Sequence, residues 1–172
     1  MWSDKKARLR RLAFDAGLLT LALIFSYVEA LFPIALPFPG FKLGLANVIV
    51  LWLAVNRTVW DAGVVSFLRI LIVAMLFGTP VSFWFSFGGA FFSFLVVVLV
   101  RRSRHISYIG ASVLSASAHN FGQLVAASCL FGITTMLVYL PILLAASVVF
   151  GTICGMLLNT IAPRLKGGHI HL

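Results

Sequence analysis

Apolar residues run through this chain in six long blocks, separated by short polar or proline-rich stretches. Inside the blocks apolar and polar side chains do not alternate, so helices are predicted and the strands of a membrane barrel are not. One crossing of a bilayer takes about 20 apolar residues. The blocks predict helices over about 12–32, 43–55, 60–77, 81–100, 108–131 and 134–162, the last with a bend at Pro141. The expected fold is an all-α integral membrane bundle of six helices, a single domain over 1–172. The second block is short, reaching only about 20 Å at 1.5 Å per residue. Before it, residues 33–42 hold Pro33, Pro37, Pro39 and Gly40. Such a stretch stops a helix and stiffens the connection. Its apolar side chains place it against the bundle, where it supplies the missing depth.

Composition strengthens this picture. Of 172 residues, 62% are apolar and 10% are charged, against about a quarter charged in a soluble domain. Mean hydropathy is +1.10. The basic start followed by an apolar run resembles a signal peptide, but no small-residue cleavage site follows, so a retained first helix is expected. A net charge of +9 would point a soluble protein toward nucleic acid. Here the basic residues cluster between apolar blocks, as in loops facing anionic lipid. Eleven lie at the two tails, at Arg57 and in the 101–104 loop, on one predicted side, while Lys42 stands alone on the other. That asymmetry predicts cytoplasmic termini and an even helix count.

In hydrocarbon, polar residues mark the faces that meet protein. Ser112, Ser115, His119 and Gln123 recur at steps of three and four on one face of the fifth helix, with Asn120 about 100° round. Three strong hydrogen-bonding side chains so close cannot face lipid without partners. Ser82, Ser86, Gly89 and Ser93 form a stripe on the fourth helix, and Ser147, Gly151, Gly155 and Asn159 another on the sixth. These read first as close helix packing. Arg69 lies deep in the third helix, where it costs about 2.5 kcal/mol or more unless satisfied. It either bonds backbone carbonyls or Glu29, or touches a ligand. Glu29 and Lys42 read as an interfacial pair. Asn47, His119, Gln123 and Tyr139 fall at similar depth, with Lys42 at the mouth. This donor-rich set suits a small ligand bearing carbonyl, ring-nitrogen or anionic oxygen acceptors.

Several chemistries have no carrier in the sequence. There is no phosphate-binding loop of the Gly-x-x-x-x-Gly-Lys-Ser/Thr kind. The acids are Asp4, Asp15, Glu29 and Asp61, with no adjacent pair for magnesium, and no Ser-His-Asp arrangement is formed. Cys129 and Cys154 lie in apolar runs without a metal-ligand spacing, and no bis-histidine haem pattern occurs. No enzyme, metal or cofactor is therefore expected.

Three stretches carry a family resemblance: Pro39-Gly-Phe-Lys-Leu-Gly-Leu-Ala-Asn47, Leu68-Arg-Ile-Leu71 and Ser117-Ala-His-Asn-Phe-Gly-Gln123. Over nearly its whole length the chain resembles a bacterial membrane family labelled heptaprenyl diphosphate synthase component I, also called the Gx transporter family. That family is similar to the substrate-binding S-components of energy-coupling factor transporters. The resemblance implies six helices, a site near the outer face under the first loop, and a vitamin or related micronutrient as ligand. It also implies a transmembrane coupling subunit and cytoplasmic ATPases as partners. The small-xxx-small stripe that docks the coupling subunit corresponds here to Ala13-x-x-x-Gly17 and Ala16-x-x-x-Thr20, from which Asp15 departs as a charge. Prenyl diphosphate synthases hold magnesium through paired aspartates, which this chain lacks, so the synthase label does not fit its residues.

The substrate-binding residues expected are Lys42, Asn47, Arg69, His119, Asn120, Gln123 and Tyr139. Two other functions fit the same features. One is a membrane subunit of a quinone- or flavin-linked redox system, the other an accessory to a prenyl synthase.

Overall fold

A computed structural model describes residues 2–31, 44–103 and 106–167. Six helices follow one another: α1 (Trp2–Leu31), α2 (Asn47–Asn56), α3 (Val59–Phe77), α4 (Pro80–Arg102), α5 (Tyr108–Phe131) and α6 (Ile133–Gly167). Four of them, α1, α3, α4 and α6, contain stretches long and apolar enough to cross a bilayer. The chain is a multi-pass membrane protein with no strand among the described residues. α5 is equally long, but its serines, His119, Asn120 and Gln123 dilute its hydropathy.

Local chemistry sets most of the boundaries. Thr58, Thr79 and Ser107 sit in extended backbone, and their hydroxyls accept the N–H groups of Asp61, Ser82 and Gly110. Each satisfies a donor that a helix start leaves orphaned. Pro80 follows its cap in the first turn, where its missing N–H costs nothing.

Three boundaries differ from the sequence expectation. α1 begins about ten residues earlier, because Lys, Arg, Ala and Leu are good helix formers even where they are too polar for lipid. α2 begins at Asn47, since Gly44 has φ +84°, outside the helical range, and starts a turn closed by the Asn47 N–H on its carbonyl at 2.9 Å. α6 continues to Gly167 through Pro141 and Pro163. A helix inside a membrane protein tolerates proline where neighbours re-satisfy the freed carbonyls.

The short α2 is the centre of the molecule. It is apolar all round, the mark of a buried helix, and Ile49, Val50, Leu51, Trp52, Leu53 and Ala54 are all buried. The other five helices pack around it. α5 lies between α4 and α6 in the closest contacts of the bundle. A Cβ placed on Gly88 of α4 would stand 2.7 Å from the Gly122 carbonyl oxygen, and one on Gly155 of α6 would stand 2.5 Å from the Ile109 Cα. The predicted α6 stripe therefore does bring backbones together, whereas on α4 the close approach falls at Gly88, outside the predicted stripe. α1 leans on α3 and α2, leaving an apolar groove of about 260 Å³ among α1, α2 and α6, lined by carbon from Leu18, Phe25, Val48, Leu157 and Ile161.

Ionic contacts gather at one end. Arg11 Nη2 lies 2.5 Å from Asp61 Oδ2, and Arg57 lies 3.5 Å from Asp15 with its guanidinium over the Phe14 ring. Arg101 donates to the Arg57 carbonyl, and Tyr108 to Asn56. The start of α1, the α2–α3 turn, the end of α4 and the start of α5 thus share one basic end. Asp15, out of place in an apolar stripe, is explained by its partner Arg57.

Two substitutions measure the packing. Gly122→Ala drives a methyl into the Gly88 carbonyl and should cost about 1–3 kcal/mol of stability. Gly17→Ala meets nothing within 4 Å and should leave stability unchanged or slightly raised. Thermal unfolding of the detergent-purified protein compares the two. Equal effects would show that α4 and α5 do not touch at the glycines.

Candidate functional site

The interior of this bundle is more polar than its surface. Buried side chains include Ser26, Glu29, Asn47, Arg69, His119 and Gln123, while Trp60, Met75 and Ile142 stand exposed. At 1.5 Å per residue, Asn47, Arg69 and His119 each lie about 14–17 Å from the basic end. They occupy one level, near the middle of the bundle.

A cavity opens at this level. Ser26 and Glu29 line it from α1, Arg69 from α3, Ser86 from α4 and His119 from α5, and Ile70 and Val73 complete it. Its free volume is about 10 Å³, room for about one water. Four helices thus send polar groups to one point.

Backbone features fix each group. Glu29 stands near the end of α1, and its Oε1 accepts the Leu45 N–H at 2.5 Å. That bond ties α1 to the Gly44 turn. Asn47 opens α2, and its Oδ1 accepts from Arg69 Nη2 at 3.2 Å. Sequence reasoning gave Arg69 either backbone carbonyls or Glu29, or a ligand; its hydrogen bond goes to Asn47, and Glu29 lines the same cavity. Among the described residues the Asn47 Nδ2 and the Arg69 Nε have no acceptor. The same turn that starts α2 therefore also delivers a neutral partner to the deepest arginine.

His119 is held on three sides. Gln123, one turn along α5, donates its Nε2–H to His119 Nε2 at 2.7 Å. With the amide in that orientation the ring proton sits on Nδ1. A Cβ on Gly89 would stand 2.7 Å from the imidazole Cε1, and one on Gly44 would stand 3.4 Å from Cδ2. The ring sits between two glycines because a side chain at either would press on it. A second void of about 10 Å³ lies beside Asn47, with Ser112, Ser115, Gly151 and Cys154 in its wall.

The expected site residues separate into groups. Arg69 and His119 line the cavity directly. Asn47 and Gln123 are bonded to them. Asn120 turns the other way: its Nδ2 donates to the Leu143 carbonyl at 3.1 Å and to Ser147 Oγ at 2.8 Å. It cross-links α5 to α6 and does not line this cavity. Tyr139 is half-buried on α6 and does not line it either. Lys42, and with it the Glu29–Lys42 pair, lies outside the described residues. Sequence reasoning left Ser26, Ser86, Gly44 and Gly89 out of the site. Ser86 and Gly89 were visible as a stripe, but packing and site share the same spacing.

The interface residues expected on α1 stand apart from all this. Ala13, Ala16, Gly17 and Thr20 are exposed, on a face that no other helix covers.

No curated protein and no solved structure matches the chain. A family model described as heptaprenyl diphosphate synthase component I matches residues 18–161. The chain belongs to that family.

Proposed function

We propose that this protein is the ligand-binding membrane subunit of an ATP-driven micronutrient importer, of the S-component type. The observation that carries the reading is the convergence of Ser26, Glu29, Arg69, Ser86 and His119 on one buried cavity. A bundle stabilised only by packing gains nothing from collecting a guanidinium, a carboxylate and an imidazole in its interior. A binding site does.

The rest of the account follows from where charges lie. The end with Arg11, Arg57, Arg101 and Arg102 faces the cytoplasm by the positive-inside bias, all six helices span or enter the membrane, and both termini are inside. With Ser26 and Glu29 from the outer end of α1 in its wall, the cavity then opens toward the outside, in a bacterial cytoplasmic membrane. A cavity with room for one water admits a vitamin-sized molecule only if a wall moves. α1 is the natural moving wall, since among the described elements it leans on α2 and α3 alone. Its outer end is fastened to the Gly44 turn by the Glu29–Leu45 bond, and its inner end by the Arg11 and Asp15 ion pairs. Breaking the outer bond opens the chamber while the inner pairs act as the pivot.

The partners are a transmembrane coupling subunit and cytoplasmic ATPases, which supply the nucleotide chemistry that this chain has no motif for. The exposed Ala13, Ala16, Gly17 and Thr20 face on α1 supports docking there, because small side chains let a partner helix approach closely. The protein acts as a carrier and not as an enzyme, and it needs no cofactor. A quinone or flavin site would be lined by stacking Phe, Tyr or Trp rings, and this cavity has none among its described lining residues.

Two experiments test the reading. Thermal unfolding of the purified protein is measured against water-soluble vitamins and their precursors. A bound ligand raises stability by RT ln(1 + [L]/Kd), about 2.7 kcal/mol at a hundredfold excess over Kd. His119→Ala should lose the response with the fold retained. Asn120→Ala should keep the response but unfold earlier, by about 1–2 kcal/mol, since Asn120 holds α6. A normal response in His119→Ala would contradict the site. In the second experiment, Gly17→Leu should abolish co-purification with the coupling subunit and leave the ligand response intact; unchanged co-purification would remove α1 as the docking face.

A further inference from the structure

We infer that the apolar groove between α1 and α6 seats an acyl chain of an anionic phospholipid, with the headgroup at the basic end of the bundle. The inference goes beyond the ligand-binding reading and does not depend on it. Buried Ile49 and Trp52 of α2 floor the groove, and exposed Leu21 and Phe25 of α1 and Leu157 and Ile161 of α6 form its rims. No nitrogen or oxygen surfaces in it. Among the described residues α1 and α6 make no close backbone approach to each other. The space of about 260 Å³ between them is therefore open on the side of the exposed apolar rims, which face the bilayer. Carbon-walled space is poor for water and takes an apolar guest.

Depth and charge narrow the class of guest. Along α2 the groove runs from Leu45, at the level of the polar cavity, to Trp52, five residues before Arg57 at the basic end. That is about 10 Å, within one leaflet of a hydrocarbon core about 30 Å thick. Beyond its end, α1 carries Arg10 two turns before Leu18, and α6 carries Arg164 and Lys166 after Ile161. These positions lie about 5–12 Å along their helices from the groove. The acids Asp15 and Asp61 of the same end pair with Arg57 and Arg11. An anionic headgroup at this depth complements the excess of cations. A partner helix docked on Ala13, Ala16, Gly17 and Thr20 would lie about 120° round α1 from Leu18, Leu21 and Phe25, so it leaves the groove to lipid.

The test is native mass spectrometry of the full-length protein released from nanodiscs of equal parts phosphatidylglycerol and phosphatidylcholine. One phospholipid should stay bound, with phosphatidylglycerol favoured about fivefold over phosphatidylcholine. Val48→Phe and, separately, Leu157→Trp fill the groove with the protein's own carbon. Each should lose the retained lipid with helix content unchanged by circular dichroism, and the pair guards against one variant that fails to fold. Arg10→Gln combined with Lys166→Gln should bring the two headgroups to near-equal retention with a lipid still bound. No retained lipid, a lipid held unchanged in both filling variants, or equal retention of the two headgroups by the unaltered protein overturns the inference. So does a nanodisc density map in which protein, from this chain or a second copy, fills the groove.

Discussion

Hydrocarbon offers no hydrogen bonds, so a polar group in a bilayer must find its partner inside the protein or not be there. That constraint organises this molecule. The outer faces of α1, α3, α4 and α6 are apolar, while the interior holds serines, amides, an imidazole, a carboxylate and a guanidinium. Many are paired locally. Ser93 meets Ser115 at 2.8 Å, Ser147 returns to the Leu143 carbonyl, and Asn120 joins them across the helix boundary. These bonds join α4, α5 and α6 into a wall. Among the described residues Arg69 Nε, Asn47 Nδ2 and Trp52 Nε1 are exceptions, buried donors without an acceptor.

The short α2 makes the exception possible. A full-length helix at the centre would fill the bundle from end to end. Gly44, at a positive φ, instead breaks the helix at mid-depth and turns the chain. The amide of Leu45 then faces Glu29, the side chain of Asn47 faces Arg69, and the bare Cα of Gly44 lies against His119. One backbone turn thus contacts residues from α1, α3 and α5. A side chain at 44 would be strained in that conformation and would crowd Asn47 Nδ2, 2.9 Å from where its Cβ would stand.

Much of this was legible in the sequence. Long apolar runs identify membrane helices because hydrocarbon imposes one rule along each run, and α5 falls where its pattern predicts. Helix ends were less legible where another rule took over: propensity alone carries α1 back to Trp2, and one glycine torsion delays α2. For the site, Arg69, His119 and Gln123 stood out because ionisable and amide groups are costly in lipid. Asn120 stood out for the same reason, although its bonds serve packing; composition reports that a polar group is buried, and only its direction around the helix tells which neighbour it serves. Ser26 and Gly89 were hidden because a small residue reads alike whether it admits a helix or a ring. The family's name points to prenyl diphosphate chemistry, but the cavity offers a single described cation beside a carboxylate, a poor match for a diphosphate.

The central claim is that the buried cavity walled by Ser26, Glu29, Arg69, Ser86 and His119 is a ligand-binding chamber. A high-resolution density map of the protein, purified in a lipid nanodisc from cells grown with a full vitamin supply, tests it most directly. The account predicts a non-protein density in the cavity, with an acceptor atom about 2.7–3.2 Å from Arg69 Nε. A map in which the Glu29 carboxylate itself closes on Arg69 and no space or density remains between α1 and His119 would contradict it.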